Sequence, residues 1–365
     1  MKIYDCACGA TLFFENVQCL SCEREIGFLP DRLLLSALEP DTSPETWRAL
    51  ATRATYRKCQ NYARERVCNW LIPGGDTSPF CVACRLNETI LDLSRPENRV
   101  TWAKLETAKR RLIYSLLALR LPIVGRAEAP EDGLGFAFLQ SAATDGSAPV
   151  MTGHAGGLIT INAAEADDVE REGVRERLHE RYRTLLGHFR HEIGHYYWTK
   201  LVAASHWLEP FRALFGDERE DYAAALERHY AGGGAPAAEW QERHISLYAS
   251  VHPWEDWAET WAHYLHIVDT IETAAAFGVK SSGKAKDRID EHLFARADLR
   301  VAPREESTAL AKMLRDWVWL TLATNSINRS MGMRDVYPFV LNASIVEKLQ
   351  LVHSIVAEAG GGSTA

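Results

Sequence analysis

All eight cysteines of this chain fall before residue 85, and their spacing restricts what the first quarter of the chain can become. Cys6-x-Cys8 is followed by Cys19-x-x-Cys22, and Cys59 and Cys68 are followed by Cys81-x-x-Cys84. Each set of four can supply one tetrahedral all-thiolate site. The spacing therefore predicts two structural zinc ions in two ribbons in series, with the paired cysteines on knuckle turns. Gly9 follows the first pair, and Gly74-Gly75 lies between the halves of the second set. In modules this small the bound metal supplies much of the folding free energy. The start, Met-Lys-Ile-Tyr-Asp-Cys, lacks the apolar stretch of a signal peptide. A cytoplasmic location is the resulting expectation, and there closely spaced cysteines ligate metal more often than they form disulfides. A lone redox-active CxxC would leave the other six cysteines unexplained.

At 365 residues the chain has room for two or three domains. Its net charge of -8 argues against the whole chain gripping polyanions without specificity. The best apolar run, Leu112 to Val124, is broken by Arg120 and Pro122 and is too short to span a bilayer. The expected division is a first ribbon over 1–30, a helical connector over 31–55 broken near Glu39-Pro40, and a second ribbon over 56–95. A large, mainly helical domain over 96–358 and a disordered tail over 359–365 complete it. Within the large domain the pattern predicts a helix from Trp102 to Leu119 and strands over Gly135 to Gln140 and Gly157 to Asn162. A charged helical face over Glu165 to Glu180 and a Gly232-Gly-Gly-Ala-Pro236 loop follow, with further helices after Pro253, over Thr308 to Ile327 and over Pro338 to Ala357. The fold class is α+β: cysteine ribbons, then a mainly helical domain with a small sheet.

His191-Glu192-Ile193-Gly194-His195 carries the chemistry. Four residues make about one helical turn, so both imidazoles project from one face toward a single metal ion, and Glu192 can reach a water on that metal as general base. Leu185, Leu186, Phe189, Ile193, Tyr197 and Leu201 form a helical stripe through the segment. Gly194 is unfavourable in a helix interior and makes sense where another backbone passes close.

A catalytic zinc wants a third protein ligand and an open position. The metzincin pattern is excluded, because it needs Gly and His where this chain has Trp198 and Leu201. The strongest stretch is Tyr248-Ala-Ser-Val-His-Pro-Trp-Glu255-Asp-Trp-Ala-Glu259, with Pro253 placed as a first helical residue. Glu255 and Glu259 share a face there, so Glu255 can ligate zinc while Glu259 hydrogen-bonds a ligand histidine from behind. Glu218, Glu220 and Asp221 are rivals from a run that looks solvated; Glu259 itself and His263 are others, and His188 shares the face of His191.

The tandem cysteine sets, Thr152-Gly-His154 before Gly-Leu-Ile-Thr-Ile-Asn, the His-Glu-x-x-His segment and Pro-Trp-Glu-Asp-Trp-Ala-Glu together resemble a bacterial family of zinc-ribbon-bearing zinc metallopeptidases. The resemblance covers almost the whole chain. The catalytic part is also similar in arrangement to the catalytic domain of anthrax lethal factor, a gluzincin. That likeness implies Glu255 as third zinc ligand, Glu259 behind a ligand, and Tyr248, seven residues before Glu255, as the group that stabilises the oxyanion.

The expected activity is peptide hydrolysis by a water on zinc, with Glu192 taking its proton. One catalytic and two structural zinc ions are the cofactors, and a peptide or protein is the substrate. The Gly157 to Asn162 strand, if it is an edge strand, could pair with an extended substrate. A different class of reading makes the ribbons a binding module for nucleic acid or protein. Arg53, Arg57, Lys58, Arg64 and Arg66 interleave with Tyr56, Tyr62 and Trp70, as a strand-gripping surface requires. Combined, the two readings give a nucleic-acid-associated protease of the Spartan-like kind.

Overall fold

A computed structural model describes residues 2–140, 150–177, 180–231, 239–279 and 305–361. The chain divides into two compact units, Met1–Arg171 with Thr184–Phe189, and Glu172–Arg183 with Arg190–Ala365. The fold is α+β. Among the described residues no helix is long and apolar enough to cross a membrane.

The first unit opens with a two-stranded ribbon, β1 (Tyr4–Asp5) and β2 (Thr11–Leu12). An antiparallel five-stranded sheet follows in the order β3 (Ile26–Leu29), β4 (Leu34–Pro40), β5 (Thr46–Ala49), β6 (Thr55–Lys58) and β7 (Leu71–Pro73). A bridge between Phe28 and Trp70 links its two outer strands, so the sheet curls toward closure. The connector expected to be helical is therefore a pair of strands. A short leucine-rich run does not distinguish strand from helix by periodicity. Pairing decides it, with Ala37 opposite Ile26 and Leu38 opposite Ala49, both faces of the run being buried. One continuous sheet thus links the two cysteine sets: the first precedes β3, and Cys59 and Cys68 lie between β6 and β7.

A short helix, α1 (Gln60–Ala63), lies between β6 and β7. The long helix α2 (Pro96–Ala118) packs on this region, and its Tyr114 meets Phe14 and Phe28 at ring distances of 5.2 and 6.0 Å. A mixed sheet has the order β10 (Gly153–Ala155), β11 (Leu158–Asn162), β9 (Gly135–Leu139), β8 (Asn87–Thr89). Both sides of β11 are consequently occupied, by β10 and by β9, and the expectation that it offers an open edge to substrate is overturned. Buried Phe136, Phe138 and Phe189 form the apolar cluster of this part.

The second unit is helical. After α3 (Asp168–Arg177), which has no buried residue, α4 (Leu185–Tyr197) runs from the first unit into the second and ends in a wider π-type turn, Trp198–Val202. Then come α5 (Leu208–Phe215), α6 (Tyr222–Ala231), α7 (Pro253–Ala276), α8 (Glu305–Ser330) and α9 (Ala343–Ala359). The expected Gly232-Gly-Gly-Ala-Pro236 loop and the last four residues of the tail lie outside the described residues.

The spine of this unit is α7. Pro253 starts it, and the His252 Nδ1 accepts the Trp254 N–H at 3.1 Å, capping its first turn. Trp257 and Trp261 are fully buried, and Tyr197 stacks on Trp261 at 5.1 Å. Buried Asp256 accepts from Lys348 of α9 and pairs with His244, which fixes the helix from the far side.

Candidate metal centre

The cysteines gather as two sets of four, Cys6, Cys8, Cys19 and Cys22, and Cys59, Cys68, Cys81 and Cys84, with the sulfurs of each set within 4.8 Å of one another. Sulfur separations are 3.7 Å for Cys6–Cys22 and Cys8–Cys19, and 3.9 Å for Cys68–Cys81. A disulfide needs about 2.05 Å, which these distances exclude. Four sulfurs about 2.3 Å from one tetrahedral ion stand about 3.8 Å apart, which they match. Local backbone makes the arrangement: Gly9 adopts φ +86 and donates its N–H to the Cys6 carbonyl in a knuckle turn. A backbone hydrogen bond from Arg24 pulls Cys22 down to about 6, toward the thiolate a metal requires. At the second set the Trp70 and Cys81 amides donate to the sulfurs of Cys68 and Cys59. The buried guanidinium of Arg110, from α2, lies in the field of Cys68, Cys84 and Cys81, as suits a cluster of thiolates.

The third group lies within the second unit. His191 and His195, one turn apart on α4, present their Nε2 atoms 3.2 Å from each other. The Glu255 Oε2, from α7, stands 2.9 Å from the first and 3.5 Å from the second. Three ligand atoms about 2.0–2.1 Å from a tetrahedral zinc would be about 3.3 Å apart. Glu255 is 1% exposed, and its Oε2 faces the two imidazole Nε2 atoms and no other donor. A buried carboxylate turned toward two ring nitrogens is costly unless a proton or a cation lies between them, and three ligand atoms at this spacing fit a metal ion.

The close crossing of α4 and α7 produces this convergence. A Cβ on Gly194 would stand 3.0 Å from the Ala258 Cα and 3.2 Å from the Trp261 Cβ, so a side chain there would push the helices apart by a few tenths of an ångström. The Trp257 Nε1–H donates to the Gly194 carbonyl at 2.9 Å and pins the crossing.

Around the three atoms the other partners are arranged by distance. Glu259 Oε1 stands 2.8 Å from His191 Nδ1, and its Oε2 accepts the Ser246 hydroxyl at 2.6 Å. The indole of Trp254 packs on His195 at 4.4 Å, and the Tyr248 ring lies 5.8 Å from His191. Burial pulls the His191 pKa down, but hydrogen bonds and charge from Glu255 and Glu259 outweigh it and hold the ring well above its ordinary value. Burial pushes Glu255 up, and the two imidazoles more than reverse it. Glu192 is buried beside the same charges. Its burial raises the carboxyl above the ordinary range, and the histidines offset only part of this.

Most of the rival ligands are engaged elsewhere. Glu218 accepts two hydrogen bonds from Arg212 at 2.5 and 3.0 Å, and Asp221 accepts the Ala224 N–H at 3.0 Å. His263 pairs with the Tyr337 hydroxyl at 2.7 Å, and His188 faces Glu165 at 3.4 Å. Sequence reasoning missed Tyr222, whose hydroxyl donates to Glu255 Oε1 at 2.6 Å. No spacing rule relates it to Glu255, 33 residues later, and only the packing of α6 on α7 reveals it.

The surface expected on the ribbons keeps exposed Arg53, Arg64 and Arg66 but lacks the aromatic rings between them. Tyr56, Tyr62 and Trp70 are buried, Arg57 donates to the carbonyls of Asp76 and Ser78, and Lys58 pairs with Glu25 at 2.7 Å. With Tyr56, Tyr62 and Trp70 buried, these three rings offer no stacking platform for bases.

Residues 98–355 match the model of a family described as "Putative zinc-binding metallo-peptidase", and residues 3–95 match a zinc-ribbon domain. Uncharacterized proteins of Mycobacterium bovis and Mycobacterium tuberculosis are 42% identical over 365 residues, across 98% of this chain and 96% of their own length. No solved structure matches the chain, so the likeness to anthrax lethal factor has no counterpart among these findings. With well over half of its length matched, the chain belongs to this family of zinc-binding metallopeptidases and carries the zinc-ribbon domain at its N-terminal end.

Proposed function

We propose that this chain hydrolyses peptide bonds as a gluzincin-like zinc enzyme, with His191, His195 and Glu255 holding the catalytic ion and the two cysteine sets holding structural ones. The observation that carries the reading is the buried Glu255 Oε2 aimed between the two His-Glu-x-x-His imidazoles. Zinc, when bound, acts as a Lewis acid and lowers the pKa of water to about 7. Glu192 receives the proton of the attacking water, and in the metal-free site its burial holds the carboxyl above the ordinary range. Glu259 holds the His191 tautomer and ring orientation through Nδ1. Tyr248 is the phenol assigned to the developing oxyanion. The ribbon region docks substrate or a protein partner, a role supported by Leu20, 95% exposed between Cys19 and Cys22, and by half-exposed Phe13 and Val17.

The test replaces Glu192 with Gln, which keeps shape and removes the base. Zinc stays bound, and turnover of a peptide library falls by roughly 10²- to 10⁴-fold. The wild type loses activity at acid pH as Glu192 takes up a proton, and in the metal-free site burial sets that carboxyl above the ordinary glutamate range. Full turnover by Glu192→Gln overturns the reading.

A further inference from the structure

The acidic run that reads as a set of rival ligands has another use in the fold, because it mounts Tyr222. Asp221 accepts the Ala224 N–H at 3.0 Å and starts α6, and the Glu220 carbonyl accepts from His252 Nε2 at 3.1 Å. Tyr222, the first residue of α6, is thereby set beside the first turn of α7. Its ring meets His252 edge-on at 5.3 Å and Trp254 at 6.0 Å, and Trp254 in turn packs on His195. The hydroxyl donates to Glu255 Oε1 at 2.6 Å, while Oε2 of the same carboxylate faces the two histidines.

We infer that Tyr222 is a positioning residue that keeps Glu255 a one-oxygen ligand. A carboxylate next to a cation can bind through one oxygen or two, and binding through two fills the position a catalytic zinc must leave open. A phenol bonded to Oε1 commits that oxygen and leaves only Oε2 for the ion. Partners behind metal ligands tune affinity and activity about 10- to 100-fold. The same bond uses up the single Tyr222 proton, so Tyr222 itself is not the oxyanion donor. The inference rests on Glu255 being a ligand, as proposed above.

The probe is cobalt(II), introduced at the third site after mild chelation with the cysteine sets left zinc-loaded. A His191→Ala/His195→Ala double variant supplies the baseline. The wild type gives the visible difference spectrum of a low-coordinate site. In Tyr222→Phe that spectrum weakens and shifts as a second Glu255 oxygen joins, zinc affinity falls about 10- to 100-fold, and kcat falls more than KM changes. Tyr222→Met, which also lacks the hydroxyl, gives the same change independently of how the phenyl ring packs. An unchanged spectrum and affinity in both variants overturns the role of Tyr222 alone. A wild type indistinguishable from the double variant overturns the metal site itself, and the inference with it.

Discussion

Glu255 and Glu259 are one turn apart on the same helix, yet their surroundings give them different roles. Glu255 is enclosed, with one oxygen held by a phenol and the other aimed at the paired imidazoles. Glu259 is shared between the His191 Nδ1 and the Ser246 hydroxyl, so its two oxygens are already satisfied. Glu255→Ala is expected to lose the third zinc ion together with activity, read by elemental analysis and peptide turnover. Glu259→Ala should instead weaken zinc affinity or activity by about 10- to 100-fold. Unimpaired zinc binding in Glu255→Ala, with loss of both properties on change of Glu218 or Glu220, would move the third ligand elsewhere. The histidine pair and Glu192 were legible in the sequence because one helical turn brings them together. Tyr222 was not, since a hydrogen bond across helices leaves no local period.

At the scale of elements, the helical stripe of α4 and the start of α7 at Pro253 follow from local rules, and the structure adds how closely the two helices cross. Gly194→Ala gains about 1 kcal/mol of helix propensity but sets a methyl 3.0 Å from the Ala258 Cα, a backbone atom that cannot rotate away. Overpacking of this kind costs about 1–3 kcal/mol, so the crossing widens and the histidines draw back from Glu255. The expected result is a lower melting temperature and weaker binding at the third metal site. A variant as stable as the wild type, with unchanged zinc affinity, would show that the crossing has slack. The segment over 31–55 is the opposite case. Its leucines suit a helix locally, but pairing of β4 with β3 and β5 buries both faces, and tertiary pairing overrides propensity.

For the molecule as a whole the expectation is three zinc ions per chain, measured on protein purified without added metal. Cys19→Ser or Cys81→Ser should remove one ion and disrupt its own cysteine set, leaving the His191 site loaded; a wild-type count of two or fewer refutes the scheme. The sequence by itself determined the chemistry of these sites: thiolates in two sets, a His-Glu-x-x-His turn, and an acidic helix start, each written in short-range spacing that covalent geometry and helix pitch translate directly. It also implied the α+β class through its periodicities. Only the tertiary structure decided that one curled sheet links the two cysteine sets, that α2 brings Arg110 to the second set, and that β11 is an inner strand. It alone buried the aromatic rings that seemed offered to nucleic acid, and it alone brought Tyr222 to Glu255. The physical reason is range: ligand spacing is set by bonds and turns a few residues long, whereas burial, strand order and contacts between helices depend on which distant segments exclude water together.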